Sequence, residues 1–423
     1  MKISLTGGIR YRTPVQFKSG HTFIYTDFDN TYMPFSHDEI CKESPLSHSP
    51  ERRNEFSEYF SKISNFLNTR KDKITLLLTT GRNPSEYYFV ERKIKDKNLT
   101  YHSPDVLITN NGGDKFYKKD GRWVKDDSKT AEIQKYATNW NSQKLKSSLA
   151  SIIKRTNPSA YLVEAPVNAD YYCYEQDSLE TVLNRDNNPQ KRNYASFEGD
   201  YAGMIEVAFS KYLNTAKIKD ETVEMIKNAG VGAEVEYYEN DKHTWLPQYK
   251  QDGSYEIAPS TKLILTAVVN GKKLSKLFDT REEIKNIIKN DTNDLVIAAG
   301  DEINDEEMLN PLNYLELYNV KIDKNSRMED VLSNPEVLSA LKKLPFAAII
   351  TSNSPSLEHL RKMGEILDGK GIHKIYCAKN NRAEFLSKIQ KAMYNYSLEN
   401  DEYSFGMGNE IFNDLLAGGV LWQ

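Results

Sequence analysis

Cysteine is scarce in this chain. Cys41, Cys173 and Cys377 are odd in number and far apart, with no Cys-x-x-Cys pair and no Cys/His cluster. That spacing argues against a disulfide framework and against a structural zinc site. A charge excess is missing as well, since 56 basic and 60 acidic residues leave a formal charge of -4. Such a balance gives no general attraction to nucleic acid or to an anionic membrane, and neither is expected as a partner. No apolar run is long enough to span a bilayer. The opening stretch, MKISLTGGIRYRTP, has no signal-like apolar core. A reducing, cytoplasmic setting is the expectation. Repeats and low-complexity tracts are absent too. With 39% hydrophobic and 27% charged residues the composition is that of an ordinary globular protein. A chain of 423 residues has room for two or three domains, or for one domain with a large insertion.

What the chain does have is a series of short apolar runs that stop abruptly at small or polar residues. FIYTDFDNT (23–31), ITLLLTTGR (74–82) and DVLITNNGG (105–113) lie in the first third. DLVIAAGDEIND (294–305), FAAIITSNS (346–354) and HKIYCA (373–378) lie in the last. Helical stripes separate them: Phe56, Phe60, Ile63 and Leu67; Leu277, Ile284, Ile287 and Ile288; Leu357, Leu360 and Leu367; Phe385, Ile389 and Met393. Unbroken apolar strands alternating with amphipathic helices predict an α/β core, a doubly wound, Rossmann-like parallel sheet covered on both faces.

The middle reads differently. FYKKDGRWVKDD (116–127) and YKQDGSYEI (249–257) each centre on an Asp-Gly hairpin signal. Polar helical stretches and a short alternating run, AEVEYYEN (233–240), lie between them. The expected division is a first core part over 1–114, an inserted α/β cap over 115–263 and a second core part over 264–423. Residues 311–341, weakly periodic, are expected to form a surface excursion.

Ligands of open α/β sheets bind beyond the carboxyl ends of the strands. The residues able to do chemistry sit at such ends: Asp27 and Asp29, Thr80, and Asp301 and Asp305, with Lys276 ahead of a helix. Carboxylates gathered at one point repel one another unless a cation neutralises them. Mg²⁺, which takes hard oxygen ligands and substrate phosphate, is the natural candidate. A metal and a lysine together would let an aspartate attack phosphorus, and a second carboxylate could protonate the leaving oxygen and then activate water. On a continuing strand, residues 27 and 29 would project from one side.

DFDNT (27–31), TTGR (79–82) and GDEIND (300–305) resemble the first, second and fourth motifs of haloacid dehalogenase-like phosphatases. PDVLITNNG (104–112) resembles the strand leading into the cap in the subgroup of sucrose-phosphate phosphatases and Cof-type sugar phosphatases. The resemblance covers roughly residues 22–113 and 264–394. It implies Asp27 as nucleophile and Asp29 as general acid/base. Asp27, the Asp29 backbone carbonyl and Asp301 would hold Mg²⁺, with Asp305 close by. It implies Thr80 on the transferred phosphoryl group, and Thr31, Gly81, Arg82, Asn111 and Asn304 on the phosphate or substrate side. The third motif departs from the family: in GKKLSKLFD (271–279), Leu277 stands where relatives have glycine. Lys276 is the expected phosphate lysine and Lys273 the alternative. A small phosphorylated metabolite, a sugar phosphate by resemblance, is the implied substrate.

Each signal has a plain reading when taken singly. DFDNT suits an Asx turn, GDEIND an acidic helix start, and His37 an exposed loop. The tyrosines of 169–176 and 234–240 suit a small core as well as a sugar-stacking surface. The case rests on the motifs in order, each at a strand end. Two rivals stay open: a phosphotransferase or mutase using the same aspartyl-phosphate, and a catalytically idle relative that binds a ligand or partner.

Overall fold

The apolar runs do become strands. In the computed structural model, which describes residues 20–33, 49–165, 192–198, 202–323, 325–378 and 384–399, the chain begins with β1 (Thr22–Thr26), β2 (Ile74–Thr79), β3 (Val106–Thr109), β4 (Asp114–Lys119) and β5 (Arg122–Lys125). The middle supplies β6 (Tyr161–Ala165), β7 (Tyr194–Glu198), β8 (Met204–Phe209), β9 (Ala233–Tyr249), β10 (Tyr255–Val269) and β11 (Lys272–Lys273). Then come β12 (Leu295–Gly300), β13 (Phe346–Ile350) and β14 (Ile375–Cys377). His37, Cys41, Cys173, the tyrosines of 169–176 and the apolar tail 404–423 lie outside the described residues.

One sheet has eight strands in the order β14-β13-β12-β1-β2-β3-β4-β5. It is parallel from β14 through β3. From β1 the chain builds outward on one side through β2 and β3, and on the other through β12, β13 and β14. The winding therefore reverses between β1 and β12, the place where a doubly wound sheet opens a crevice for ligands.

Burial explains why these strands are apolar on both faces. Ile24, Leu76, Leu78 and Leu107 meet Phe56, Phe60, Phe385 and Ile389 on one side. Tyr25, Leu77, Ile108 and Val296 meet Leu277, Ile284, Leu360 and Leu367 on the other. Each fully buried phenylalanine contributes on the order of 2–3 kcal/mol. The first helix among the described residues, Pro50–Asn68, starts cleanly because the Ser49 side chain accepts from Arg52 N and proline opens the first turn.

The second sheet runs β11-β10-β8-β7-β6, with β9 paired to β10. Its Val207, Phe209, Leu263 and Leu265 pack on Leu145, Leu149, Ile153 and Ile218 of helices Ser142–Thr156 and Thr215–Asn228. The β9–β10 hairpin turns at Asp252-Gly253, where Lys250 N donates to Ser254 O at 2.7 Å. Among the described residues no helix is long and apolar enough to cross a membrane.

Three expectations change. The hairpin at Asp120-Gly121 joins the first sheet, because β4 pairs antiparallel with β3. The inserted unit therefore begins after Lys125 rather than near 114. Its other boundary moves from about 264 to beyond Lys273. β10 is continuous to Val269, and Asn270 and Gly271, at φ of 51° and 77°, turn the chain into β11. Two left-handed residues in succession are the signature of a two-residue hairpin, and Asn-Gly was its sequence signal. Residues 311–341 are a surface excursion only in part, since most of the described residues of 321–336 are exposed while both ends of the segment are buried. Tyr314, Leu315, Val337, Ala340 and Leu341 are buried in the core. The α-helical period fails at the start of the segment because Pro311–Tyr318 is a 3-10 helix with three residues per turn.

Two buried polar contacts join the units. Asp114, fully buried, accepts from Ala202 N at 3.1 Å and from Asn110 Nδ2 at 3.0 Å. Lys129 Nζ lies 2.7 Å from Asp279 Oδ1, both side chains nearly enclosed. A buried charge left without its partner costs about 3–5 kcal/mol, whereas an apolar pair of similar volume is tolerated. Lys129→Met should therefore lower unfolding stability in urea by about 3 kcal/mol or more. Adding Asp279→Leu should recover most of that loss; a double variant as unstable as the single would contradict the account.

Candidate active site

The site is assembled where β1 and β12 end side by side. Asp27 N still donates to Ala299 O of β12 at 2.9 Å. The chain then leaves the sheet in a tight turn, with Tyr32 N on Asp27 O at 3.2 Å and Met33 N on Phe28 O at 2.7 Å. Asn30 takes the left-handed conformation at φ 53°, which asparagine tolerates better than most residues. The strand therefore stops at Thr26, and the expectation that residues 27 and 29 project together from a continuing strand fails. Their carboxylates have different partners. Asp27 meets Lys276, while both oxygens of Asp29 are taken by Arg82, with Nε at 2.7 Å and a terminal nitrogen at 2.9 Å. That is the paired fork geometry of a strong guanidinium–carboxylate bond.

Lys276 precedes the first turn of helix Leu277–Asn290, and its side chain is buried. Its Nζ lies 2.5 Å from Asp27 Oδ1 and 2.7 Å from Asp305 Oδ1. Lys273 instead pairs with Glu236 of β9 at 2.6 Å. Of the two lysines, only Lys276 reaches Asp27. Leu277, in place of the family glycine, packs into the core and leaves that reach intact.

Asp305 has its second oxygen turned to the backbone, accepting from Asp301 N at 3.0 Å and Glu302 N at 3.3 Å. The carboxylate thereby closes the loop after β12. Glycine is required at 300, because a Cβ there would stand 2.4 Å from Asp305 Cβ. Asp27, Asp301 and Asp305 each offer a carboxylate oxygen, all within 4.8 Å of one another, and all three residues are buried.

Three carboxylates face one ammonium, so full ionisation would leave two negative charges uncompensated. Burial pushes the Asp27 carboxyl well above the usual range; Lys276 opposes that rise and Asp305 adds to it. Asp301 is raised to about 7, first by burial and then by the charges of Asp305 and Glu302. Burial would lower Lys276, but Asp27 and Asp305 outweigh it and hold the ammonium firmly protonated. A hard divalent cation fits both the charge deficit and the all-oxygen donor set. The Asp29 side chain is not part of the triad.

Other expected residues cluster at the ends of β2 and β3. Thr80 is buried; its N donates to Ile108 O at 2.9 Å and its Oγ1 accepts from Arg82 N at 3.1 Å. Its hydroxyl proton has no acceptor among the described residues. Asn111, left-handed at φ 52°, donates from N to Thr80 O at 3.0 Å. Its Oδ1 stands 3.2 Å from the Cβ position of Gly81, so residues 80–82 and 111 form one lip. Thr31 faces inward, its Oγ1 donating to Asp301 Oδ1 at 3.3 Å. Asn304 is exposed and, among the described residues, has no bond to the cluster. In the inserted unit, Tyr237 bonds Thr215 and packs toward the helices, while Tyr238 is 44% exposed. Sequence reasoning missed Thr351 and Ser352, which follow β13 and touch Thr31 and the Asp301 backbone. Their signal was present: two hydroxyl residues directly after an apolar run, beside the strand that carries Asp301.

The raised Asp301 carboxyl has a consequence for stability. An unfolded aspartate ionises near pH 4, whereas the folded one holds its proton to about 7. Its contribution is thus fully present below the unfolded value and is lost as pH rises through about 7. In EDTA the melting temperature should fall between about pH 4 and 7, less steeply in Asp301→Asn, and a saturating divalent cation should restore it. An identical slope in wild type and variant would contradict this.

No protein-family model matches the chain, and no curated protein matches it. Solved structures do resemble it. The sucrose-phosphatase of Synechocystis, in complex with sucrose and phosphate, is 13% identical over 88% of this chain and 98% of its own, with a TM-score of 0.37. A haloacid dehalogenase-like hydrolase protein from Bacillus subtilis is 11% identical over 88% and 96%, with a TM-score of 0.39. Another haloacid dehalogenase-like hydrolase, from Bacteroides thetaiotaomicron, is 11% identical over 87% and 99%, with a TM-score of 0.35.

Proposed function

We propose that the chain is a Mg²⁺-dependent phosphatase that hydrolyses a small phosphate ester through a phospho-aspartate on Asp27. The observation that carries this reading is the buried Asp27 carboxylate, 2.5 Å from Lys276 and grouped with Asp301 and Asp305. Lys276 beside Asp27 opposes the effect of burial, and a divalent cation at the triad would favour the ionised carboxylate further, the form that can act as a nucleophile. Asp27, Asp301 and the Asp29 carbonyl, with Asp305 close by, would hold Mg²⁺, which would supply positive charge to offset the phosphoryl oxygens.

The side chains then divide the work. Asp27 attacks phosphorus, the ester oxygen leaves, and Asp29 gives that oxygen its proton. Asp29 next takes a proton from the water that hydrolyses the acyl phosphate. Thr80 donates its free hydroxyl proton to the phosphoryl group, and Lys276 remains charged beside the reacting oxygens, an electrostatic contribution of the largest kind. Arg82 holds both Asp29 oxygens in the substrate-free chain. Proton transfer at Asp29 therefore requires the fork to loosen, as it would when phosphoryl oxygens compete for the guanidinium.

The inserted unit, in this reading, closes over the rest of the substrate and limits water entry. A sugar phosphate is the first class to try, from the motif resemblance, in a cytoplasmic setting. The near-neutral charge balance favours a small metabolite over nucleic acid or a membrane.

The test is phosphate release from a panel of sugar phosphates and an aryl phosphate, with Mg²⁺ and with EDTA. Turnover should need the metal and fall by at least about a thousandfold in Asp27→Asn. Folded protein that binds Mg²⁺ but turns over no ester would make this a binding site rather than a catalytic one.

A further inference from the structure

The end of β13 carries two hydroxyls that the proposed chemistry does not use. Thr351 is fully buried, and its N donates to Gly300 O at 3.0 Å, extending the β12–β13 pairing. Its Oγ1 lies 3.1 Å from Thr31 Oγ1, 3.2 Å from Gly300 O and 3.4 Å from Asn30 O. Thr31 Oγ1 in turn donates to Asp301 Oδ1 at 3.3 Å. Ser352 Oγ donates to the backbone carbonyl of Asp301. Ser352 is itself held, since Arg361 donates to its carbonyl at 3.0 Å.

Each hydroxyl has one proton and can also accept. When the Thr31 proton is on the Asp301 carboxylate, Thr31 Oγ1 is left as an acceptor within reach of Thr351 Oγ1. Thr351 Oγ1 touches Thr31 Oγ1 and can also donate to Gly300 O and Asn30 O, so it ties Thr31 to the end of β12 and to the turn after β1, while Thr31 donates to Asp301. Asp301 is gripped at its carboxylate through this relay and at its backbone by Ser352. Both grips come from one strand end outside the recognised motifs.

We propose that Thr351 is a positioning residue that, through Thr31, orients the Asp301 carboxylate for a divalent cation, with Ser352 fixing the same residue's backbone. This deepens the metal-site reading and rests on it. Groups that orient a metal ligand from behind typically carry about ten- to hundredfold in metal affinity. A relay with one intervening hydroxyl belongs at the lower end.

The test is Mn²⁺ binding by the full-length chain without substrate, read from the electron paramagnetic resonance of the free ion. Wild type, Thr31→Val, Thr351→Val, Thr351→Ser and the double valine variant are compared, with Asp301→Asn as the site control. Thr351→Val should weaken binding about tenfold while melting within about 3 °C of wild type. Thr351→Ser, which keeps the hydroxyl, should bind as wild type does. Because the relay is serial, the double variant should bind no more weakly than Thr31→Val. Mn²⁺ binding unchanged in folded Thr351→Val, or additive losses in the double variant, would overturn the relay alone. Absence of binding in wild type, or binding untouched by Asp301→Asn, would overturn the metal-site reading and the relay with it. Should Thr351→Val not fold, half-buried Ser352→Ala carries the test, and unchanged binding there overturns the proposal.

Discussion

The ammonium of Lys276, wedged between Asp27 and Asp305, is the contact on which the site depends. Asp27 directly follows β1 and Asp305 lies in the turn after neighbouring β12, at the reversal of the winding, and nothing in a parallel sheet alone would keep two buried charges there. Their repulsion is offset by a cation that arrives from a third direction, the start of a helix packed beneath the sheet. Asp305 uses its other oxygen to fold the loop after β12, so the lysine and the backbone share one carboxylate. The arrangement remains short of positive charge, and that shortage is what a divalent ion would meet.

The same helix start links the site to the inserted unit. Three residues beyond Lys276, Asp279 pairs with Lys129 of the middle segment. Just before it, the β10–β11 hairpin brings the chain back from the second sheet. Gly203 at the foot of β8 approaches Gly113 closely enough that a Cβ would stand 3.3 Å from its Cα. The unit is thus tied to the core through the segment that delivers the lysine.

Much of this was legible in the residues. Continuous apolar runs named the parallel strands, because a strand buried on both faces has no polar position to spare. The strand-end rule then located Asp27, Thr80, Asp301 and Asp305. What could not be read was direction. Period-two reasoning placed Asp29 beside Asp27, but the turn at Asn30 gave it to Arg82. Nothing local to DFDNT encodes the partner that waits 53 positions later in TTGR. Lys276 was the expected lysine with Lys273 as the alternative, and the tertiary contacts place Lys276 on Asp27 and Lys273 on Glu236. The unit boundaries were misplaced because a core-like run, LILTAVV, continues across the one at 264, and because an Asp-Gly hairpin says nothing about which sheet it extends.

The central claim is that a covalent phosphate passes through Asp27. Borohydride quenching of the chain during turnover, followed by peptide mass spectrometry, reads this directly, since an acyl phosphate is reduced to the alcohol. The account predicts homoserine at position 27 only when both Mg²⁺ and a hydrolysable ester are present. Intact Asp27 throughout, in protein that is releasing phosphate, would contradict it.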